Sequence, residues 1–543
     1  MVSKESNRLR FGRFTPVILG MSLVLGACSG GGKEAQTSAP SASPAPSAAG
    51  SEGAFAKHLD ITWVGYNLPG VLYPKDHATK KIIEDKFNVT INQIDLDVSN
   101  GQQRNLFFAE GKTADMLSIN TGLHEQEIDQ GVFKELNLDD MRRKMPNHFK
   151  QLEAFIPYDV IKARTEYKGK HYGVPFTNYA SFLSFVQGIR QDWLENVGIA
   201  KMPETIDEYT NVLRKFTFGD PDKNGKNDTY GMHGILGNFG SYVYGAFGVP
   251  SSSLAFYADD KGQIYPVGLS DNRKNMLKQL ASWYKEGLID PESITDTRAR
   301  QRAKWKEGKF GIISDNPWWF ASTTTDNLTD MVTSANPQAK IAFLKPFTGP
   351  TGQKGASNRA YANVTYGYFF GRDISDEKLD RLLAIKDYIA GNEELFIRLY
   401  YGEQGKHYDL DAEKKIVVKD PYKESANVAK EGLGQFYVAS TMVNWEFQEK
   451  YLVGKADMPE YDIGRESPFF PTDVNFNYKG LNASLLQYSA TLKTIADEFE
   501  IKAIAGQINI DAEWENYKKR FLSSGGEQVA KEFQKLYDES NKK

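Results

Sequence analysis

Residues 60–96 read DITWVGYNLPGVLYPKDHATKKIIEDKFNVTINQIDL. The opening apolar run, 60–65, predicts a strand, and Tyr66-Asn67-Leu68-Pro69-Gly70 predicts the loop that leaves it. A helix then ends near Phe87, and the stretch from Val89 through Ile91 to Leu96 predicts a second strand. A short apolar run at 116–119 follows a polar turn and predicts a third, buried strand. Strands that alternate with helices point to an α/β fold around a mainly parallel sheet.

Helix signals continue along the chain. Thr205-Ile206-Asp207-Glu208 is a capping box, in which threonine and glutamate satisfy each other's free backbone donors. Ile206, Tyr209, Val212, Leu213 and Phe216 then recur at helical spacing. Asp271 opens a helix that Gly287 closes, and Ser375 caps another, with Ile374 and Leu379 as a hydrophobic staple. There is no repeat of solenoid or propeller length.

The 543 residues are enough for two large lobes, and 40% hydrophobic with 25% charged residues is ordinary for a folded soluble body. A formal charge of −4 lacks the basic footprint of a nucleic-acid binder. The single cysteine excludes an internal disulfide and a multi-cysteine zinc site.

That cysteine has a distinctive place. Lys4, Arg8, Arg10 and Arg13 form a basic leader, and an apolar run follows at about 17–25, too short to span a bilayer alone. The run ends Leu25-Gly26-Ala27-Cys28, which resembles a bacterial lipobox. Residues 1–27 are expected to be a signal peptide and Cys28 the lipidated first mature residue. Residues 28–56 are rich in Gly, Ala, Ser, Thr and Pro and are expected to be a disordered tether.

Asp220-Pro221-Asp222-Lys223-Asn224-Gly225-Lys226-Asn227-Asp228 carries a metal-loop pattern. Asp220, Asp222, Asn224 and Asp228 stand at positions 1, 3, 5 and 9, Gly225 at the sharp bend and the Lys226 carbonyl at position 7. Calcium takes six to eight hard oxygens, so this spacing nominates a structural Ca²⁺ site. Gly231 replaces the bidentate glutamate of an EF-hand at position 12.

Further segments carry a resemblance. Gly188-Ile189-Arg190-Gln191-Asp192-Trp193-Leu194-Glu195-Asn196-Val197-Gly198, Pro203-Glu204-Thr205 and the Asp-rich loop come first. Trp283-Tyr284-Lys285-Glu286-Gly287-Leu288-Ile289-Asp290-Pro291-Glu292 and Tyr401-Gly402-Glu403-Gln404-Gly405-Lys406-His407-Tyr408 follow, then Ile504-Ala505-Gly506-Gln507-Ile508 through Trp514 and Tyr517. Together they resemble the family 1 extracellular solute-binding lipoproteins of bacterial ABC importers, in their large, saccharide-associated Gram-positive branch. The resemblance implies a two-lobed periplasmic-binding-protein-like fold (type II), with the ligand in a cleft between lobes joined by crossing segments. Residues 57–177 plus about 346–405 would form lobe 1, and 178–345 plus about 406–543 lobe 2. In this branch a carboxylate directly after the position-9 aspartate helps to chelate calcium; Thr229 stands there in this chain.

Sugars present C–H faces to aromatic rings and hydroxyl rims to polar groups. Loops at the carboxyl ends of strands are the favoured place for both. The candidates are therefore Tyr66, Asn67, Asn120, Thr121, Asn178, Tyr179, Trp318 and Trp319, with Tyr401 and Trp445 behind them. The expected protein is a monomer, lipid-anchored on the extracellular face of the bacterial cytoplasmic membrane. It would capture an oligosaccharide, hand it to ABC permease subunits and catalyse nothing. No H-E-x-x-H, G-x-S-x-G or P-loop stands in the chain, and its seven histidines are scattered. The alternatives are a binder of a peptide or other solute, a surface sensor or adhesin, and, less favoured, a glycan-acting enzyme.

Overall fold

The computed structural model describes residues 55–65, 74–96, 101–110, 112–120, 125–154, 156–176, 184–236, 238–320, 326–357, 366–434, 445–451, 463 and 482–541. The expected signal peptide, Cys28 and the tether up to residue 54 lie outside them.

The chain begins as its opening sequence predicts. Strand β1 (Leu59–Val64) leads to helix α1 (Ala78–Phe87), strand β2 (Val89–Gln93), helix α2 (Gly101–Ala109) and strand β3 (Met116–Asn120). Asn88 takes a left-handed φ of 49° at the end of α1, which turns the chain straight into β2. β1 pairs in parallel with β2 and β3, and the register sets buried Ile61 beside buried Ile91. After strand β4 (Val174–Phe176) the chain leaves this sheet for a second one.

The second sheet holds β5 (Val186–Arg190), β6 (Tyr230–Met232), β7 (Phe310–Asp315) and β8 (Ile341–Leu344), in the order β8-β5-β7-β6. Every residue of β5 and β7 is buried. This sheet's central strands bury polar residues as well as apolar ones, Gln187 and Arg190 in β5 and Ser314 and Asp315 in β7. Helix α3 (Ile206–Phe218) has the expected capping box, and α4 (Asp271–Glu286) starts from a Ser270 cap and stops at Gly287 with φ 79°. Helix α5 (Arg298–Lys306) precedes β7.

The chain then returns to the first sheet. Strand β9 (Tyr366–Phe370) inserts antiparallel between β3 and β4, giving the order β2-β1-β3-β9-β4. Helices α6 (Asp376–Gly391), with its Ser375 cap, and α7 (Glu393–Tyr401) pack on that lobe, and Ile374 and Leu379 are both buried there.

Each sheet has its own core. Ile61, Phe87, Met116, Tyr368 and Leu382 belong to one, and Trp193, Tyr209, Phe216, Trp283 and Trp514 to the other. The fold is thus the expected two-lobed α/β architecture, but its sheets are mixed rather than mainly parallel, because β9 in one and β5 in the other run antiparallel to both neighbours. Two stretches pack away from the lobe their sequence position suggested. Phe347 and Ala356, in residues 346–357, join the second core, because Thr348 bridges to Thr205 beside α3. Residues 406–434 attach to the first lobe: Thr79 Oγ1 donates to Gly432 O at 2.7 Å, and Ala429 lies in the first core. This stretch includes the hairpin of β10 (Tyr408–Leu410) and β11 (Ile416–Val418).

Helices α8 (Ala483–Ile504), α9 (Ile510–Phe521) and α10 (Glu527–Asn541) complete the second lobe. Their apolar faces join the second core, and one buried ion pair adds to that packing. Arg273 of α4 donates to Glu500 Oε1 of α8 from Nη2 at 2.7 Å and from Nε at 3.0 Å, and both side chains are buried.

Candidate functional site

The two sheets offer chemistry only at their edges. In the first, β1, β3 and β4 run the same way, and β9 starts where they end, so Asn120, Tyr366 and Phe176 stand in one cross-strand row. In the second, β7 ends at Asp315 opposite Val186, and β8 ends at Leu344 opposite Gln187. The chain passes from the first sheet to the second between Phe176 and Val186, returns before Tyr366 once residues 346–357 have packed in the second core, and passes to the second lobe again before α8.

Of the expected ligand residues, Asn120 ends β3 in the first edge's row. Tyr66, Asn67, Thr121, Asn178 and Tyr179 lie outside the described residues. Trp445 opens a short helix, Trp445–Tyr451, whose Phe447 and Tyr451 pack on an aromatic cluster. That cluster also brings together Trp318 and Tyr401. Trp318 follows β7 in the second lobe, with the Asn316 side chain accepting its backbone N–H at 2.9 Å. Its ring is only 7% exposed and packs with Phe396, Tyr400, Tyr401 and Tyr408 of the first lobe. Trp318 is thus a bridge between lobes, while its neighbour Trp319 stays half-buried.

Beside Trp319 lies a charged corner that the sequence reading did not single out. Asp315, the last residue of β7, is 1% exposed, and Arg302 Nη2 reaches its Oδ2 at 3.0 Å. Arg298 Nη1 stands 3.5 Å from Oδ1, and the Arg302 guanidinium lies 4.1 Å from the Trp319 ring centroid. The available signal was Thr297-Arg298-Ala299-Arg300-Gln301-Arg302, a capped helix start with arginines four apart, ahead of a strand that ends in aspartate.

The metal loop lies at the other end of the second sheet, between α3 and β6, where Tyr230 pairs with Phe310 at the start of β7. Asp220 (φ 47°), Lys223 (φ 56°) and Gly225 (φ 79°) take left-handed backbones that curl the loop. The Asp220 carboxylate accepts the Asn224 and Gly225 backbone N–H groups, each at 3.0 Å. Asn224 Nδ2 donates to Asp222 Oδ2 at 2.9 Å and Asp228 Oδ1 at 3.0 Å. An amide donor therefore sits between two carboxylates. Burial pushes the Asp222 carboxyl above its usual value, and the charges of Asp228 and Asp220 add to the shift.

The loop's departures from an EF-hand have a packing cause. Thr229 is buried and its Oγ1 donates to Phe216 O at 2.7 Å, so it is engaged with α3. A Cβ on Gly231 would stand 2.7 Å from the Leu213 Cα, so a glutamate cannot occupy position 12. The tight seat of β6 against α3 takes both ligand positions out of use.

Among the described residues, His233, Asp290 and Asp296 offer ligand atoms within 4.8 Å of one another. Lys304 Nζ already sits there, 2.8 Å from Asp290 Oδ2 and 2.8 Å from Asp296 Oδ2. Burial opposes its charge, but the surrounding carboxylates outweigh that and hold Lys304 above its usual range. An ammonium fills the place a metal would take.

The structure is thus two α/β lobes, each built on its own sheet, between which the chain passes three times. The chain belongs to the bacterial extracellular solute-binding proteins, whose family model matches residues 79–365. The polygalacturonan/rhamnogalacturonan-binding protein YtcQ of Bacillus subtilis is 24% identical over 513 residues, covering 91% of this chain and 94% of that one. The fructooligosaccharide ABC transporter substrate-binding protein FusA of Streptococcus pneumoniae is 26% identical over 320 residues, 56% of this chain and 55% of its own length. The crystal structure of the alginate-binding protein AlgQ2 without calcium ion superimposes with a TM-score of 0.67 at 19% identity, over 89% of this chain and 98% of that one. These relatives are solute-binding proteins rather than enzymes.

The burial of Trp318 has a measurable consequence. Trp318→Ala should lower unfolding stability by about 3–5 kcal/mol in urea titration, the usual cost of emptying an aromatic core position. A loss under about 1 kcal/mol, the scale of an exposed-site change, would place that ring in solvent.

Proposed function

We propose that this chain is the lipid-anchored receptor of an ABC importer, capturing an oligosaccharide between its lobes and presenting it to permease subunits. The observation that carries this is the division into two α/β lobes, each on its own sheet and core, between which the chain passes three times. Family membership and the saccharide ligands in the relatives' names support it. Asn120 and Trp319, with Tyr66, Asn67, Thr121, Asn178 and Tyr179, which follow β1, β3 and β4 in sequence, would meet the sugar. Trp318, Tyr401 and Trp445 would act through the aromatic cluster that spans the lobes. Ligand contacts to both lobes at once would favour the closed arrangement. Cys28 would hold the body at the outer face of the cytoplasmic membrane through its acyl chains and the tether. Among the described residues no helix is long and apolar enough to cross a membrane.

We further infer a structural calcium ion in the 220–228 loop. Asp220, Asp222, Asn224 and Asp228, with the Lys226 carbonyl, are hard oxygen donors of the type calcium takes, and water would complete the set. The crowding of Asp222 by Asp220 and Asp228 fits a site built for a cation. Its distance along β7 from Asp315 gives the ion a bracing role at the α3–β6 corner, away from the ligand.

Two outcomes are expected. In isothermal titration, at least one member of a panel of neutral and acidic oligosaccharides should bind, and chromatography should recover it unhydrolysed. Hydrolysis, or no binding across the panel, would contradict the reading. In the calcium-free chain the raised Asp222 pKa means that the folded state holds this proton more tightly than the unfolded one. Its contribution to stability therefore falls as pH rises from about 3.9 through the raised value. Calcium needs the deprotonated form, so added calcium should raise the melting temperature by about 2 °C or more at neutral pH and progressively less in acid. Asp222→Asn should abolish that response; an equal response in the variant would rule the loop out.

A further inference from the structure

Resting on the oligosaccharide reading above, we propose that the protein selects carboxylate-bearing saccharides, with Arg298 reading the acid group at a corner that Arg302, Asp315 and Trp319 brace. The charge balance of the corner carries this. Buried Asp315 is one carboxylate faced by two guanidinium groups, Arg302 at 3.0 Å and Arg298 at 3.5 Å. Among the described residues neither arginine pairs with any second acid, so one positive charge is left over at the carboxyl edge of β7. Arg298 is solvent-reachable, so water hydrates that charge without ligand, and an incoming carboxylate would replace the water with a charge-assisted hydrogen bond.

The geometry suits a sugar acid rather than a simple anion. Arg302 lies over the Trp319 ring at 4.1 Å, and its Nε has no acceptor among the described residues. That Nε is buried and Nη2 is engaged by Asp315, so Arg302 braces the corner, and Arg298 is the guanidinium that meets an incoming carboxylate. Arg298 is 43% exposed and open to a ligand. The half-buried indole next to it offers a face for sugar C–H groups. A uronate carries both features on one ring, a carboxylate and an apolar face. A neutral sugar would use the indole and leave the extra charge unanswered. The corner is also a local exception in a chain of formal charge −4, whose overall field does not favour anions.

The test compares a galacturonate hexamer with the same hexamer after carboxyl reduction, by isothermal titration in calcium-free buffer. The two probes share length and linkage and differ in charge. The carboxylated hexamer should bind at least ten-fold tighter, with an affinity that falls as salt rises. Arg302→Gln strips a buried carboxylate of its partner and endangers the fold, so Arg298→Gln, on the more exposed side chain, is the primary variant. Thermal melts establish that it is folded. In Arg298→Gln the ratio of the two affinities should fall toward one. A reduced hexamer that binds as tightly as the acid, or a ratio unchanged in the variant, overturns acid selection and leaves oligosaccharide capture standing. Binding of neither hexamer, nor of any neutral oligosaccharide, brings down both.

Discussion

The molecule is organised by burial of its sheets. The central strands β5 and β7 have no exposed residue, and in the other lobe Ile61, Trp63 and Val64 of β1 and residues 116–119 of β3 are buried. A sheet covered by helices can meet a ligand only where its strands stop, so the polar and aromatic groups that remain available gather at the carboxyl edges. The chain passes three times between the lobes built on these sheets, between Phe176 and Val186, before Tyr366 and again before α8. Everything proposed about function follows from that division.

Two contacts keep the lobes distinct yet coupled. Within the second lobe the buried Arg273–Glu500 pair fastens α8 to α4, with further donors of Arg273 taken by the Pro250 and Ser251 carbonyls. Breaking such a pair leaves a buried charge, which makes the C-terminal helices part of this lobe rather than an appendage. Between lobes, Trp318 sits among Phe396, Tyr400 and Tyr401. That contact is apolar and non-directional, suited to yielding when a ligand offers competing contacts to both sides.

Local features were legible in the sequence, and long-range ones were not. The strand–helix alternation from residue 60 to 119, the Thr205–Glu208 capping box, the Ser375 cap and the Gly287 stop all appear where the residue types put them. Each depends on neighbours within a few positions. The insertion of β9 beside β3 depends on residues hundreds of positions apart, and so does the attachment of residues 406–434 to the first lobe. The metal loop was legible as a spacing of Asp, Asn and Gly. That Thr229 would turn to Phe216 O, and that Gly231 would lie against Leu213, was set by the packing of β6 on α3. The Trp318-Trp319 pair was visible as two adjacent indoles, but only the fold separates a buried bridge from a half-open ring. The Arg298, Arg302 and Asp315 corner was missed because its members come from a helix and a strand end, with no motif spacing between them.

The central claim is that a ligand shuts two lobes around a shared cleft and is left intact. Small-angle X-ray scattering of the tether-free body, with and without the tightest-binding oligosaccharide at saturation, tests it most directly. A smaller radius of gyration in the bound state is the predicted result; identical scattering curves at proven saturation would contradict closure of the clamp.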